Sequence, residues 1–378
     1  MLLKRLTSQL PEHLHPLLPQ LDAAGIKTTE NLLFTHPSLL RGLIPHEASL
    51  EELHGICLAL TAPPEVWGDE AYRAGARTAR RSWCGWGIGA VDELIAGWDG
   101  TGVVELVGPS RVGKSLLALH AALRVLRAEP TAQCRWLDAD GSFHPTRARA
   151  ILDAMGEKDP TSVLDRLVVS PCFRIDPELY EGLAAIKAEY ERDEDDADSV
   201  MRTRILVIDP LSSLLKDMLL ASTAQGHAAM VTVLEEISEL TYSCGLATVI
   251  TNFPSSSLPN NAHSSFSMTT IRPALGTAFT YFADVTLLVQ ETGKLFGQVD
   301  EEERERVRKQ PGLRAAVEVL KSRVSPSGRW AVFETDGTSL SGVVPPPFED
   351  ERTIRMSAGL PVGVQRPIHG PLARTVIP

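Results

Sequence analysis

The chain has 378 residues, 43% of them hydrophobic, and a formal net charge of −11 at pH 7. That length suggests two or three domains with material for a sizeable core. No apolar run approaches the roughly 20 residues of a membrane span, and the acidic balance argues against wholesale coating of nucleic acid while leaving room for a local basic groove. Five cysteines, Cys57, Cys84, Cys134, Cys172 and Cys244, are scattered and form no C-x-x-C pair, which argues against zinc-finger and redox motifs and points to a reducing compartment. The N-terminal MLLKRLTSQLPEHL lacks the long apolar stretch and small-residue cleavage site of a signal peptide. A soluble intracellular protein is expected, with no membrane partner.

Residues 1–60 read as a small helical domain. PEHLHPLLPQLDAAGIKTTENLLFTHPSLLRGL repeats apolar residues at three- and four-residue spacing and breaks at the Ala24, Gly25, Ile26 turn. Thr28 or Thr29 is placed to cap the next helix, which carries Leu32 and Leu33. A helix–turn–helix pair of this kind serves equally as a nucleic-acid-binding bundle or as a protein-docking module. The paired prolines of TAPPEVWGDE open a linker over 61–81. Its second half, YRAGARTARR, brings Arg73, Arg77, Arg80 and Arg81 near one face if helical. That face is either a solvated basic surface or a patch that contacts phosphate.

From Ser82 short β-rich runs alternate with helical ones. VVELV (103–107) reads as a buried strand, and LLALHAALRVL (116–126) as an apolar helix of good helix formers. Between them GPSRVGKS meets G-x-x-x-x-G-K-[ST] in full, through Gly108, Pro109, Ser110, Arg111, Val112, Gly113, Lys114 and Ser115. Glycines let backbone N–H groups curl around phosphate oxygens, the lysine sets a positive charge at the β/γ bridge, and the serine hydroxyl ligates Mg²⁺. Strand, glycine loop and helix N-terminus together make an anion site. This is a phosphate loop.

Further strand-like runs follow: CRWLD (134–138), RLVVS (166–170), RILVID (204–209), GLATVIT (245–251), DVTLLV (284–289), AAVEVLK (315–321) and WAVFE (330–334). Strands separated by helices imply right-handed crossovers and a largely parallel sheet, the last strands forming an antiparallel edge. RILVID ends in Asp209, expected beside the phosphate loop, where it holds a Mg²⁺ water or orients the metal of Ser115. CRWLD is expected next to the phosphate-loop strand, so that Asp138 or Asp140 faces the γ-phosphate; alternatively both acids form the turn ahead of Gly141. The 251–279 stretch is a long polar loop whose cations and aromatics are His263, Arg272, Phe253 and Phe266, so direct DNA affinity should be modest. ERDEDDADS (191–199) and DEEERERVRKQPG (300–312) read as charged surface excursions, and the proline-rich end, 343–378, as a disordered tail.

Taken together these landmarks resemble the RecA-type recombinase superfamily, in its eukaryotic branch, over about residues 11–342. GIGAVDELIAGW is similar to the segment that leads into that family's ATPase core. DADGSFHPTR resembles the family run D-T-E-G-T-F-R-P-E-R, and TNF followed by RPALG resembles its strand and loop near the γ-phosphate. PALG, LKSRVSPSG (320–328) and AAGIKTTENLL are similar to the D paralogue of the Rad-fifty-one recombinases. The resemblance implies an α/β fold: a RecA-like P-loop ATPase domain (82–342) with a mainly parallel central sheet, behind the N-terminal helical domain. It implies ATP and Mg²⁺ as cofactors, with Gly108 to Ser115 on the triphosphate and Ser115 and Asp209 at the metal. Asp140 would occupy the catalytic glutamate position, Arg147 the position near adenine, and Phe253 the place of a glutamine that senses γ-phosphate. A phenyl ring cannot make that hydrogen bond.

The self-assembly motif F-x-x-A is absent from the linker, where Tyr72 and Ala74 have the wrong spacing. These departures count against strand exchange and long self-filaments. What the resemblance implies is a nuclear, ATP-binding subunit for homologous recombination and double-strand-break repair, with ATP-dependent DNA-damage sensing. It would join other recombinase paralogues in a hetero-oligomer that helps load recombinase on single-stranded or branched DNA. Its expected turnover is weak, DNA-stimulated ATP hydrolysis, with Arg73, Arg77, Arg80, Arg81 and Arg272 as candidate DNA contacts. Two other readings remain: a non-hydrolysing scaffold with a fixed ATP clamp, and a self-filamenting DNA-dependent ATPase. A small-molecule kinase would need an arginine-bearing lid that the sequence after Asp209 lacks.

Overall fold

A computed structural model of the chain describes residues 3–8, 10–44, 46–61, 67–68, 83–191, 201–220, 224–257, 261–266, 269–275, 279, 282–295 and 312–344. The expected basic face at Arg73, Arg77, Arg80 and Arg81, the Tyr72 and Ala74 stretch, and the tail from 345 lie outside these residues. So does most of each charged excursion. By internal contacts the chain divides into two compact units, residues 1–80 with 218–239, and residues 81–217 with 240–378.

In the first unit the short N-terminal helices Leu17–Ala23, Thr29–Phe34 and Pro37–Leu43 precede a longer one, Glu47–Thr61. The first ends where Gly25 takes a φ of +82°, a conformation that glycine adopts at little cost. Thr28 caps the second by accepting from the Asn31 N–H at 3.1 Å, so of the two candidate threonines the earlier one does the capping. Leu6, Leu14, Leu21, Leu32, Ile44, Leu53 and Cys57 form a separate core. Each of these fully buried leucines contributes about 2 kcal/mol relative to exposure.

The second unit is built on a sheet. In chain order its strands are β1 (Gly102–Val107), β2 (Ala132–Asp138), β3 (Leu167–Pro171), β4 (Arg202–Asp209), β5 (Ala247–Asn252), β8 (Val285–Glu291), β9 (Leu313–Ser322), β10 (Trp330–Thr335) and β11 (Leu340–Val343). Their order is β11-β10-β9-β8-β1-β5-β4-β2-β3, parallel from β8 to β3 and antiparallel from β8 to β11. Two short strands, β6 (Pro254–Ser256) and β7 (Ile271–Pro273), form a ribbon of their own within the long polar loop.

Alternate residues explain the packing. Val104 and Leu106, Cys134 and Trp136, Ile205 and Val207, Ala247 and Val249, and Val285 and Leu287 all enter one cluster with Leu117, Ala121 and Leu123 of the helix Lys114–Ala128. Their neighbours Val103, Leu137, Leu206, Ile208, Ile250 and Leu288 are buried on the other face. Covered on both sides, these strands read as continuous apolar runs.

One expectation is corrected. β2 is not beside β1, whose neighbours are β5 and β8; β5 and β4 intervene. A parallel crossover leaves strand order open, so adjacency in sequence was a poor guide to adjacency in space.

Candidate nucleotide site

The strand registers set Val107 opposite Asn252 and Asp138 opposite Asp209. The phosphate loop, the polar end of β5 and two acids therefore share the carboxyl edge of the sheet, where open α/β sheets take ligands. Glycine is required at the start of the loop because a Cβ on Gly108 would lie 2.3 Å from the Val289 carbonyl oxygen. Gly113 caps the helix Lys114–Ala128 at a φ of +95°. Arg111, also in the loop, sits at +67°, unusual for a residue with a side chain. Pro109 is partly covered, Ser110 and Arg111 are exposed, and Val112 is buried.

Lys114 folds back over its own loop, donating to the carbonyls of Gly108 at 2.7 Å and Pro109 at 2.8 Å. Burial pushes the ammonium down to about 8, against the pull of the Asp209 and Asp140 carboxylates. The Phe253 ring centroid lies 5.2 Å from the Lys114 Nζ. Asp209 is 5% exposed and accepts a hydrogen bond from Thr251, with the Ser115 hydroxyl near enough to act on its charge. Burial raises its pKa; the two hydroxyls and Lys114 oppose that rise, and the Asp138 charge adds to it. β5 separates β4 from β1, and Thr251, next to last in that middle strand, donates its hydroxyl to Asp209.

The two acids after β2 divide their work. Asp138 is buried and accepts from the backbone N–H groups of Asp140 (3.4 Å), Ser142 (3.1 Å) and Phe143 (2.9 Å). It anchors the turn around Gly141. Asp140 is exposed, and its charge reaches Lys114. Arg147 stands exposed in the first turn of the helix Pro145–Ala154. In the polar loop, Arg272 and His263 are exposed, whereas Phe266 is 1% exposed and packs against Trp330 in a tilted arrangement with ring centroids 5.3 Å apart. Phe266 is thus a core residue, withdrawn from the DNA-contacting role the sequence left open. Glu318 holds this part of the loop, accepting from Ser264 and from the Ser265 N–H.

Sequence reasoning missed a buried polar chain behind the site. Glu105, in the middle of β1, accepts from the Asn252 side chain at 2.8 Å and the Thr286 hydroxyl at 2.9 Å. Asn252 accepts from the Ser212 N–H at 3.0 Å, and the Ser212 hydroxyl accepts from the Phe253 N–H at 3.1 Å. Burial pushes the Glu105 carboxyl up to about 7, with both hydrogen bonds and Lys321 acting against it. The signal was present as a lone acid inside VVELV and a Thr-Asn ending on an apolar strand.

The donor set fits Mg²⁺. Ser115 and Asp209 supply hard oxygen ligands near each other at the N-terminus of the helix Lys114–Ala128. Among the described residues no cluster of three or more His, Cys, Asp or Glu is arranged for a metal. Also among the described residues, no helix is long and apolar enough to cross a membrane.

Comparisons with known proteins agree at a coarse level. The AAA domain family matches residues 72–251. The DNA repair protein RAD51 of Mycosarcoma maydis is 28% identical over 171 residues, covering 43% of this chain and 47% of that protein. The chain thus spans about half the length of that curated relative. The crystal structure of the RadB recombinase overlays with a TM-score of 0.49 at 17% identity, over 69% of this chain and 100% of that one. The stretch that is similar to the AAA domain family takes in the phosphate loop and Asp209.

Proposed function

We propose that the chain is an ATP-binding recombinase paralogue acting in homologous recombination and DNA double-strand-break repair. The observation that carries this reading is the arrangement of Lys114, Ser115 and Asp209 around the phosphate loop. The lysine is held on the Gly108 and Pro109 carbonyls, and the Asp209 carboxylate feels both the Lys114 ammonium and the Ser115 hydroxyl. Mg²⁺, when bound, supplies charge neutralisation at the β- and γ-phosphates. Ser115 and Asp209 hold it, Lys114 neutralises the triphosphate, and the N–H groups of the helix N-terminus orient it. Asp140 stands within electrostatic reach of Lys114 and orients the attacking water, directly or through a second water. Arg147 lies by the base.

In this reading the chain works as one subunit of a nuclear hetero-oligomer, closest to the D paralogue, that assists recombinase loading on single-stranded or branched DNA. Phe253, where a hydrogen-bonding side chain would sense the γ-phosphate, disfavours an autonomous strand-exchange filament. It favours slow turnover, and it equally suits a second reading, a scaffold subunit with a fixed ATP clamp. Steady-state ATP hydrolysis by the purified chain, with and without single-stranded DNA, separates the two. DNA-stimulated turnover that vanishes in Lys114→Ala supports the ATPase; tight binding with no turnover above that variant leaves the clamp.

A further inference from the structure

We infer that Phe253 is a positioning residue for Lys114, holding the ammonium over the phosphate loop through the face of its ring; the inference rests on the nucleotide-site reading above. The ring centroid is 5.2 Å from Nζ, inside the roughly 6 Å over which a cation is attracted to an aromatic face. The ammonium has three N–H donors, and two are spent on the Gly108 and Pro109 carbonyls. With two donors on the loop carbonyls and the ring close by, one N–H of the ammonium is left for a bound phosphate.

The ring is fixed from behind. The Phe253 N–H donates to Ser212 Oγ at 3.1 Å, Ser212 N–H to Asn252 Oδ1 at 3.0 Å, and Asn252 Nδ2 to the buried Glu105 at 2.8 Å. Asn252, which ends β5, and Phe253 just after it are therefore both tied to Ser212 at the start of the helix Leu211–Leu220. A side chain mounted on so constrained a backbone keeps its place against Lys114 with little loss of conformational entropy.

Because the ring acts through Lys114, and that lysine serves the β-phosphate common to ATP and ADP, its loss should be felt with both nucleotides. The test is a double-mutant cycle by calorimetry on the full chain, titrating Mg·ATP and Mg·ADP. Phe253→Leu should weaken both nucleotides by about fivefold to thirtyfold, the range of a desolvated cation–π contact. Phe253→Tyr, which keeps the ring face, should stay within about twofold of the parent. In a Lys114→Ala background the Phe253→Leu change should cost less than about twofold, since the partner is gone. An equal loss in both backgrounds, or a loss confined to Mg·ATP, overturns the inference while leaving the nucleotide site standing. Undiminished binding by Lys114→Ala alone removes the nucleotide-site reading, and the inference with it. Unchanged tryptophan fluorescence of each variant confirms that the sheet is intact.

Discussion

Replacing Glu105 by glutamine should stabilise the sheet at alkaline pH and leave it nearly unchanged in acid. Glu105 is 1% exposed, and burial raises its carboxyl from 4.5 to about 7. Below about 4.5 it is protonated in both the folded and unfolded chain, and contributes no pH dependence. As pH rises, the unfolded carboxyl releases its proton first while the folded one holds it to about 7, so stability falls across that window. At 1.36 kcal/mol per unit, the gap between 4.5 and about 7 amounts to about 3 kcal/mol lost by about pH 8. Glutamine keeps both hydrogen bonds: its carbonyl accepts from Asn252, and its amide donates to Thr286, whose hydroxyl reverses. The assay is urea unfolding followed by tryptophan fluorescence at about pH 5 and about pH 8. Of the six tryptophans only Trp67 falls outside the sheet-bearing unit, so the signal reports mainly that unit. Other titrating groups cancel in the difference between parent and Glu105→Gln. A difference that is the same at both pH values refutes the reasoning.

Gly108→Ala should lose about 1–3 kcal/mol of stability along with nucleotide affinity, because the new methyl meets the Val289 carbonyl at 2.3 Å and one of the two segments must move. Denaturant unfolding and Mg·ATP titration read both losses, and parent-like values in each would show that the loop has room to spare. Asp138→Ala should destabilise by about 1–3 kcal/mol, since three backbone N–H groups lose their acceptor. The same change at exposed Asp140 should stay within about 0.5 kcal/mol. The reverse ranking in urea unfolding would contradict the division of work between the two acids.

The phosphate loop and its flanks were legible because the chemistry is local: eight consecutive residues, a buried strand before them and a helix after. The eight long strands before β11 were likewise legible as apolar runs, with ends off by a residue or two. What escaped depends on contacts between distant segments. β11, with Ser341 and Gly342 at its centre, lacks an apolar pattern and exists because β10 offers it an edge. β6 and β7 are three residues each, contain prolines, and pair across the loop. Asp138 and Asp140 share a spacing of two and looked interchangeable, until the turn after β2 folded its N–H groups onto the first. Glu105, Asn252 and Thr286 meet only because β5 and β8 flank β1, and no local pattern encodes that order.

The central claim is that this loop binds a nucleoside triphosphate through Lys114. Its most direct test is the affinity of the full chain for Mg·ATP, compared with Lys114→Ala under identical conditions. Removing a charge-assisted hydrogen bond of about 1.5–3 kcal/mol predicts at least about tenfold weaker binding by the variant, with the fold intact by circular dichroism. Equal affinity in the two proteins would contradict the account.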